Sequence, residues 1–263
     1  MTAGEVQVSL CEILHVVTTL CDRHGVEYVL IGGGCLGIAR HNRALIPWDD
    51  DLDIAVWAGD MPNFLAAMRH LPARFRLLPE QRPQYPAYKV SDTRTQVDGQ
   101  TGFDDPCGIF IDVIPMMHWQ SLGWKHLDNL LARITAFKEH PYSADWWKQL
   151  VKRAVNATAL HRLVPWVYRM GLQAMFERMD LRCRLGRIGI ISGAIGRPWV
   201  GKYPWSTVYP LQRDRLAGVE VLVPNDLNRF LTLRYGADYM KPLEPARRWT
   251  HFGEARRVQH PHD

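Results

Sequence analysis

Cysteine is sparse in this chain, and its spacing carries no pattern. The five cysteines, Cys11, Cys21, Cys35, Cys107 and Cys183, are scattered over 263 residues without a Cys-x-x-Cys pair. That excludes a zinc ribbon and a disulfide framework, and it fits a reducing compartment such as the cytoplasm. No apolar run approaches the roughly twenty residues of a membrane-spanning helix. The opening Met-Thr-Ala-Gly-Glu has no basic stretch leading into an apolar core, so no secretory signal is expected. Repeats and low-complexity segments are missing too. What remains is 47% apolar and 22% charged, the composition of a soluble globular protein with a real core. The length suits one large domain or two small ones.

Net charge is +5, with an isoelectric point near 9.0. Phosphorylated donors, anionic glycans, nucleic acid and anionic membrane surfaces all suit that sign. The excess is local. Ser121 to Arg187 holds twelve Lys and Arg against five Asp and Glu, or +7, which leaves −2 for everything else. The pattern is helical from Gly123 to about Arg187, with Trp124, Trp146, Trp147 and Trp166 set among the basic residues. One reading is a helical subdomain with an aromatic core and a solvated charged face. The other is an interfacial surface, since basic amphipathic helices bearing Trp can lie at anionic headgroups.

The densest chemistry lies between Ile31 and Ala55, Ile-Gly-Gly-Gly-Cys-Leu-Gly-Ile-Ala-Arg-His-Asn-Arg-Ala-Leu-Ile-Pro-Trp-Asp-Asp-Asp-Leu-Asp-Ile-Ala. A short strand, Glu27 to Ile31, runs into Gly32, Gly33 and Gly34, where backbone can come close to something bulky or anionic. A helical turn from Cys35 to His41 follows, its N-terminal N–H groups facing the site. Four carboxylates, Asp49, Asp50, Asp51 and Asp53, then crowd into five positions ahead of the apolar run Ile54-Ala-Val-Trp57. A solvated acidic turn at Pro47 to Asp51 is one reading. In the other, a strand runs from Asp51 to Trp57, so that Asp51 and Asp53 leave one face while Leu52 and Ile54 enter the core. Like charges so close raise one another's pKa or demand a cation, and Mg²⁺ or Mn²⁺ with oxygen ligands resolves the repulsion.

Elsewhere the chain alternates helix and strand signals. Val6, Leu10, Ile13, Leu14, Val17 and Leu20 predict a helix over 4–24. Asp60 is placed to cap a helix reaching about Leu71. Phe75 to Leu78 and Ala87 to Val90 read as strands. Gly108 to Pro115 is the strongest strand signal, apolar, β-branched and closed by proline. Asp112 sits inside it, where a carboxylate needs a partner: either Arg or backbone N–H groups, or a cation shared with Asp51 and Asp53. Toward the C-terminus, Gly218 to Pro224 reads as a strand. Asn225 or Asp226 caps a helix from Leu227 to Tyr235 that Gly236 stops. This tail reads as a packing element closing the domain, and beyond Thr250 a His- and Arg-rich end frays.

Gly33-Gly34, a spacer, and then Asp51-Leu-Asp53-Ile54 is similar to the nucleotidyltransferase superfamily pattern. More closely, Gly33-Gly-Cys-Leu-Gly37, Arg40-His41 and Ile46-Pro-Trp-Asp-Asp-Asp-Leu-Asp-Ile54 resemble the LicD family, which includes fukutin and fukutin-related protein. Phe110-Ile-Asp-Val-Ile-Pro115 resembles the family's third-aspartate strand, and Tyr235-Gly-Ala-Asp-Tyr-Met-Lys-Pro242 its ending, although Pro242 and Pro245 are separated where the family often has Pro-Pro. The resemblance is weakest in the basic helical stretch.

That resemblance implies an α/β (α+β) nucleotidyltransferase-like mixed sheet flanked by helices. It is expected to form a single domain over 1–263 with a helical insertion at 121–190. It implies a Mg²⁺- or Mn²⁺-dependent transferase moving phosphocholine or an alditol phosphate from CDP-choline or a CDP-alditol to a glycan or lipid-linked glycan. Asp51, Asp53 and Asp112 would be the catalytic and metal-binding residues, with Asp49 an open fourth. Gly32, Gly33, Gly34, Arg40 and Lys89 would hold nucleotide phosphates, Arg40 as a clamp and Lys89 as a point charge. Asp112 is also a candidate acceptor for the attacking hydroxyl's proton. Nucleic acid is not an expected partner, and contact with a membrane would be peripheral, through the basic Trp-bearing helices. Two rivals stand beside this reading: a nucleotidyltransferase acting on a sugar, protein or RNA end, and a non-catalytic basic binding protein.

Overall fold

A computed structural model describes residues 1–80, 87–98, 107–136, 166–194, 201–247, 250 and 253–258. The fold is mixed α/β and divides into two compact units, Met1–Met116 with Ser206–Asp263, and Met117–Trp205.

In the first unit, helix α1 (Ala3–His24) starts where Thr2 and Glu5 cap each other: the Glu5 N–H donates to Thr2 Oγ1 and the Thr2 N–H to the Glu5 carboxylate. Such a reciprocal cap contributes about 1 kcal/mol. Gly25, at φ +64°, ends the helix in the left-handed region. The predicted stripe from Val6 to Leu20 is buried. It packs on strands β4 (Tyr88–Asp92) and β10 (Val219–Val223) and on helix α3 (Met61–Met68).

The sheet runs β1 (Tyr28–Ile31), β2 (Asp53–Trp57), β6 (Phe110–Trp119), β4, β3 (Phe75–Pro79), with β2 and β6 parallel and the other neighbours antiparallel. Strand β5 (Thr95–Val97) pairs instead with β11 (Ala255–Arg257). Strands β9 (Gln212–Leu216) and β10 form a hairpin turned by Ala217 and Gly218, both at positive φ, the backbone that lets a two-residue turn follow the strand twist. Helix α6 (Leu227–Tyr235) follows, capped by Asp226, whose carboxylate accepts the Arg229 N–H, and closed by Gly236.

Four boundaries differ from expectation. Strand β2 begins at Asp53, so Asp51 and Leu52 precede it. Helix α2 (Gly32–Arg40) starts at the first glycine, making the glycine run a helical first turn rather than a loop. Helix α3 stops at Met68, and Asp60 precedes it without a side-chain cap. Pro115 does not end β6. The Asp112 N–H donates toward β2, to Leu52 O, so position 115 faces the opposite edge, where pairing with β4 has already ended at Val113. β4 therefore offers no partner to the missing N–H, and a strand tolerates proline where such a partner is absent.

The second unit contains helices α4 (Leu122–Ala136) and α5 (Gln173–Gly186), and the antiparallel pair β7 (Ile190–Gly193) and β8 (Tyr203–Pro204). Its core gathers Trp119 and Trp124 edgewise around Phe176. The charges are not all solvated, as a simple subdomain would have them. Lys125 is fully buried, donating to Asp128 Oδ2 at 2.8 Å and to Ala194 O at 3.2 Å. Nor are the tryptophans all core, since Trp166 is exposed. Trp146 and Trp147 lie outside the described residues. Among the described residues no helix is long and apolar enough to cross a membrane.

Burial pushes the Cys21 thiol up to about 12 and the Cys35 thiol further still. Unfolded, both ionise from about 9. Above that pH the unfolded chain releases protons that the native state retains, so stability falls as pH rises. Urea midpoints are expected to hold steady from neutral pH to about 9 and then decline. Cys21 and Cys35 should resist a thiol reagent until the chain unfolds. A midpoint that rises in alkali contradicts this.

Candidate functional site

The site begins with a conflict between backbone and side chain. Helix α2 starts one residue after β1, so Gly32 takes φ +63°, which a side chain resists. Space is as decisive as angle. A Cβ on Gly32 would meet the carboxylate of Asp53, and one on Gly33 that of Asp49. The glycines therefore let the helix N-terminus settle against two carboxylates, where its unpaired N–H groups and partial positive charge favour them. Gly34 has a different role: a Cβ there would press on Leu30 Cδ1 at 2.8 Å, so it serves packing.

Strand register supplies the third carboxylate. Asp53 and Asp112 are direct partners in the parallel β2–β6 ladder, and partners in neighbouring strands project side by side. Asp51 joins them from the segment before β2. Carboxylate oxygens of Asp51, Asp53 and Asp112 all lie within 4.8 Å of one another, and so do those of Asp49, Asp50 and Asp51. Asp50 and Asp51 are buried, so the acidic stretch is no solvated turn.

On the other side of β6, Lys89 is the register partner of Asp112. Its ammonium donates to Asp112 Oδ1 at 2.8 Å and lies 3.3 Å from the centre of the Phe110 ring. Lys89 is buried, while the Asp112 side chain keeps 23% of its surface exposed. The partner is a lysine, neither the arginine nor the backbone N–H groups that the sequence suggests beside a cation. This bond gives Lys89 a definite task in fixing the orientation of the Asp112 carboxyl.

Arg40 and the C-terminal segment close the site. Asp49, Asp51, Asp53, Gly32, Gly33 and Arg40 border a cavity of about 570 Å³ whose opposite wall is Arg234 to Glu244. Arg40 Nη1 donates to Tyr239 O at 2.7 Å and to Lys241 O at 3.2 Å. Part of its fork thus holds the chain's own carbonyls in place, and burial lowers its pKa. The tail is more than a packing element: it brings Arg234, Tyr235, Asp238, Tyr239 and Lys241 to the cavity. None of these was singled out as a site residue from the sequence, although the Tyr235-Gly-Ala-Asp-Tyr-Met stretch was the signal that could have led to them. Tyr235 keeps much of its surface exposed, yet burial at its hydroxyl end and the nearby Asp53 push that phenol up to about 12. It is a neutral hydroxyl at physiological pH.

The trio suits a hard cation. It offers only carboxylate oxygens, clustered at one spot, the donor set that Mg²⁺ and Mn²⁺ take. Cationic side chains, Arg40, Arg234 and Lys241, border the same cavity and suit phosphate oxygens.

Residues 25–156 match the family model described as LicD/FKTN/FKRP, nucleotidyltransferase domain. The matched range holds the glycines, the four aspartates, Lys89 and Asp112, whereas the wall from Arg234 to Glu244 lies beyond it. The chain is also similar to the lipopolysaccharide cholinephosphotransferase LicD of Haemophilus influenzae. The two are 24% identical over 273 residues, covering 97% of this chain and 98% of the relative.

Gly32→Ala should destabilise the protein by about 1–2 kcal/mol from left-handed backbone alone, with more from displacing Asp53. Gly4→Ala, where added bulk meets nothing, should be neutral or stabilising. Denaturant midpoints for the two variants check this, and equal effects would contradict it.

Proposed function

The chain belongs to the LicD family of transferases, and from that membership we propose that it moves a phospho-alcohol, phosphocholine or an alditol phosphate, from a CDP-activated donor to a glycan hydroxyl with a divalent cation. One observation carries the reading: three carboxylates, Asp51 and Asp53 from one chain segment and Asp112 from strand β6, converge within 4.8 Å, and the first two border a cavity with basic side chains on its wall. The similarity to a lipopolysaccharide cholinephosphotransferase supports phosphocholine as the group and a cell-surface glycan as the acceptor. A lipid-linked acceptor would bring the protein to a membrane surface from outside the bilayer.

In this reading Asp51, Asp53 and Asp112 hold Mg²⁺ or Mn²⁺. Bound there, the ion would supply neutralising charge for phosphate oxygens of the donor and for the departing CMP. Lys89 keeps the Asp112 carboxyl in register by holding Oδ1. Arg234, Lys241 and the remaining donors of Arg40 orient the diphosphate, turning a bimolecular encounter into a positioned one. Asp49 stands on the cavity wall beside the trio and, in place of Asp112 whose Oδ1 is held by Lys89, accepts the proton of the attacking glycan hydroxyl as the new P–O bond forms. The bond that breaks joins the transferred phosphorus to the bridging oxygen, which leaves with CMP. Tyr235, neutral at this pH, is a hydrogen-bond donor at the same wall.

Purified protein given Mg²⁺, CDP-choline and a glycan acceptor should release CMP and not pyrophosphate. Asp51→Asn, Asp53→Asn and Asp112→Asn should each cut turnover by about 10²-fold or more, with circular dichroism unchanged. Full turnover in EDTA would refute metal dependence, and pyrophosphate release would favour nucleotide transfer instead.

A further inference from the structure

The outer face of helix α5 does not follow the usual rule for a solvated helix. Its inner face is conventional: Phe176, Met179, Asp180 and Cys183 are buried at helical spacing. Asp180 is not a stray charge, since its carboxylate accepts the His118 N–H at 2.6 Å and bonds His118 Nδ1 at 2.8 Å. On the opposite face, Ala174, Met175, Arg178, Leu181, Arg182 and Leu185 fall into one stripe, as the 3.6-residue repeat requires. All six are exposed. Leu181 is 56% exposed, Leu185 77%, and Ile188 just past the helix 58%.

No carboxylate belongs to that stripe. The helix's other acid, Glu177, lies to one side and accepts a bond from Gln173 Nε2 at 3.0 Å. Beside the stripe opens a cavity of about 660 Å³, lined by Trp124, Met175, Met179 and Ile188 together with Arg178 and Arg182. Large aliphatic side chains in water, two arginines among them and a recess of mixed apolar and basic lining alongside are poor design for a face meant only for solvent.

We infer that this face of α5 docks on the surface of an anionic lipid bilayer. Leu181, Leu185 and Ile188 enter the boundary between headgroups and acyl chains, and Arg178 and Arg182 engage lipid phosphates from the same face. Charge complementarity selects this occupant. A neutral protein partner would cover the leucines but gain nothing from the paired arginines, whereas an anionic interface satisfies both. The inference deepens the proposed function by saying where a lipid-linked acceptor would be met. It does not depend on the carboxylate chemistry.

The test is flotation of the full-length protein with vesicles of phosphatidylglycerol and phosphatidylcholine, against phosphatidylcholine alone. The wild type should bind the anionic vesicles at least tenfold more tightly, and high salt should weaken that binding. Arg178→Glu/Arg182→Glu and Leu181→Ser/Leu185→Ser should each lose binding at least tenfold, with circular dichroism and CMP release on a soluble acceptor unchanged. Equal binding to both vesicle types would overturn the inference. So would sedimentation showing a wild-type dimer that the leucine variant turns into monomer, because a second copy would then cover the face. Loss of CMP release with vesicle binding intact would count against the transferase reading and leave this one standing.

Discussion

The mutual repulsion of carboxylates held at the head of two parallel strands is the constraint on which the site depends. Asp53 and Asp112 are register partners, and Asp51 reaches the same place from the segment before β2. Strands in one ladder stand about 4.8 Å apart, so their aspartates cannot separate without breaking the sheet. The sheet in turn is anchored by buried residues, among them Ile54, Val56, Ile111 and Val113. Hydrophobic burial thus forces charges together that would otherwise part. The fold offsets the repulsion with the N-terminus of α2 beside Asp49 and Asp53 and the ammonium of Lys89 on Asp112, and it leaves room for a cation.

The three glycines take their meaning from the same constraint. Gly32 and Gly33 make room for carboxylates of the protein itself, and Gly34 makes room for Leu30. A Gly-rich stretch followed by acids is often read as a phosphate cradle. Here the acids are the first thing the glycines accommodate, and the basic groups that suit phosphate come from Arg40 and from the far end of the chain. Arg40 joins those two parts, since it lies on α2 and holds the carbonyls of Tyr239 and Lys241.

Much of this was legible in the residues. The α1 stripe, the β6 apolar run, the strand ending at Val223 and the Asp226-capped helix follow from periodicity and capping alone, whereas the partner strand β9 was not read. The trio was legible because a carboxylate within Ile109 to Ile114 needs a partner, and a parallel strand brings one. Other features were hidden. The start of α2 at Gly32 could not be read because glycine is a poor helix former, and only the approach of Asp49 and Asp53 makes it the residue that fits. Pro115 inside β6 could not be read because its tolerance depends on where β4 stops pairing. The bond from Lys89 to Asp112 was hidden because nothing in the neighbours of Lys89 reveals that β4 sets it opposite that aspartate. The wall from Arg234 to Glu244 was hidden by distance, lying nearly two hundred residues from the aspartates it faces.

The central claim is that the trio takes a divalent cation, and titration of Mn²⁺ followed by electron paramagnetic resonance tests it without reference to turnover. The wild type should remove free Mn²⁺ from solution, Mg²⁺ should compete it off, and Asp51→Asn/Asp53→Asn should leave the free-ion signal unchanged. Equal Mn²⁺ uptake by the wild type and that folded double variant would contradict the account.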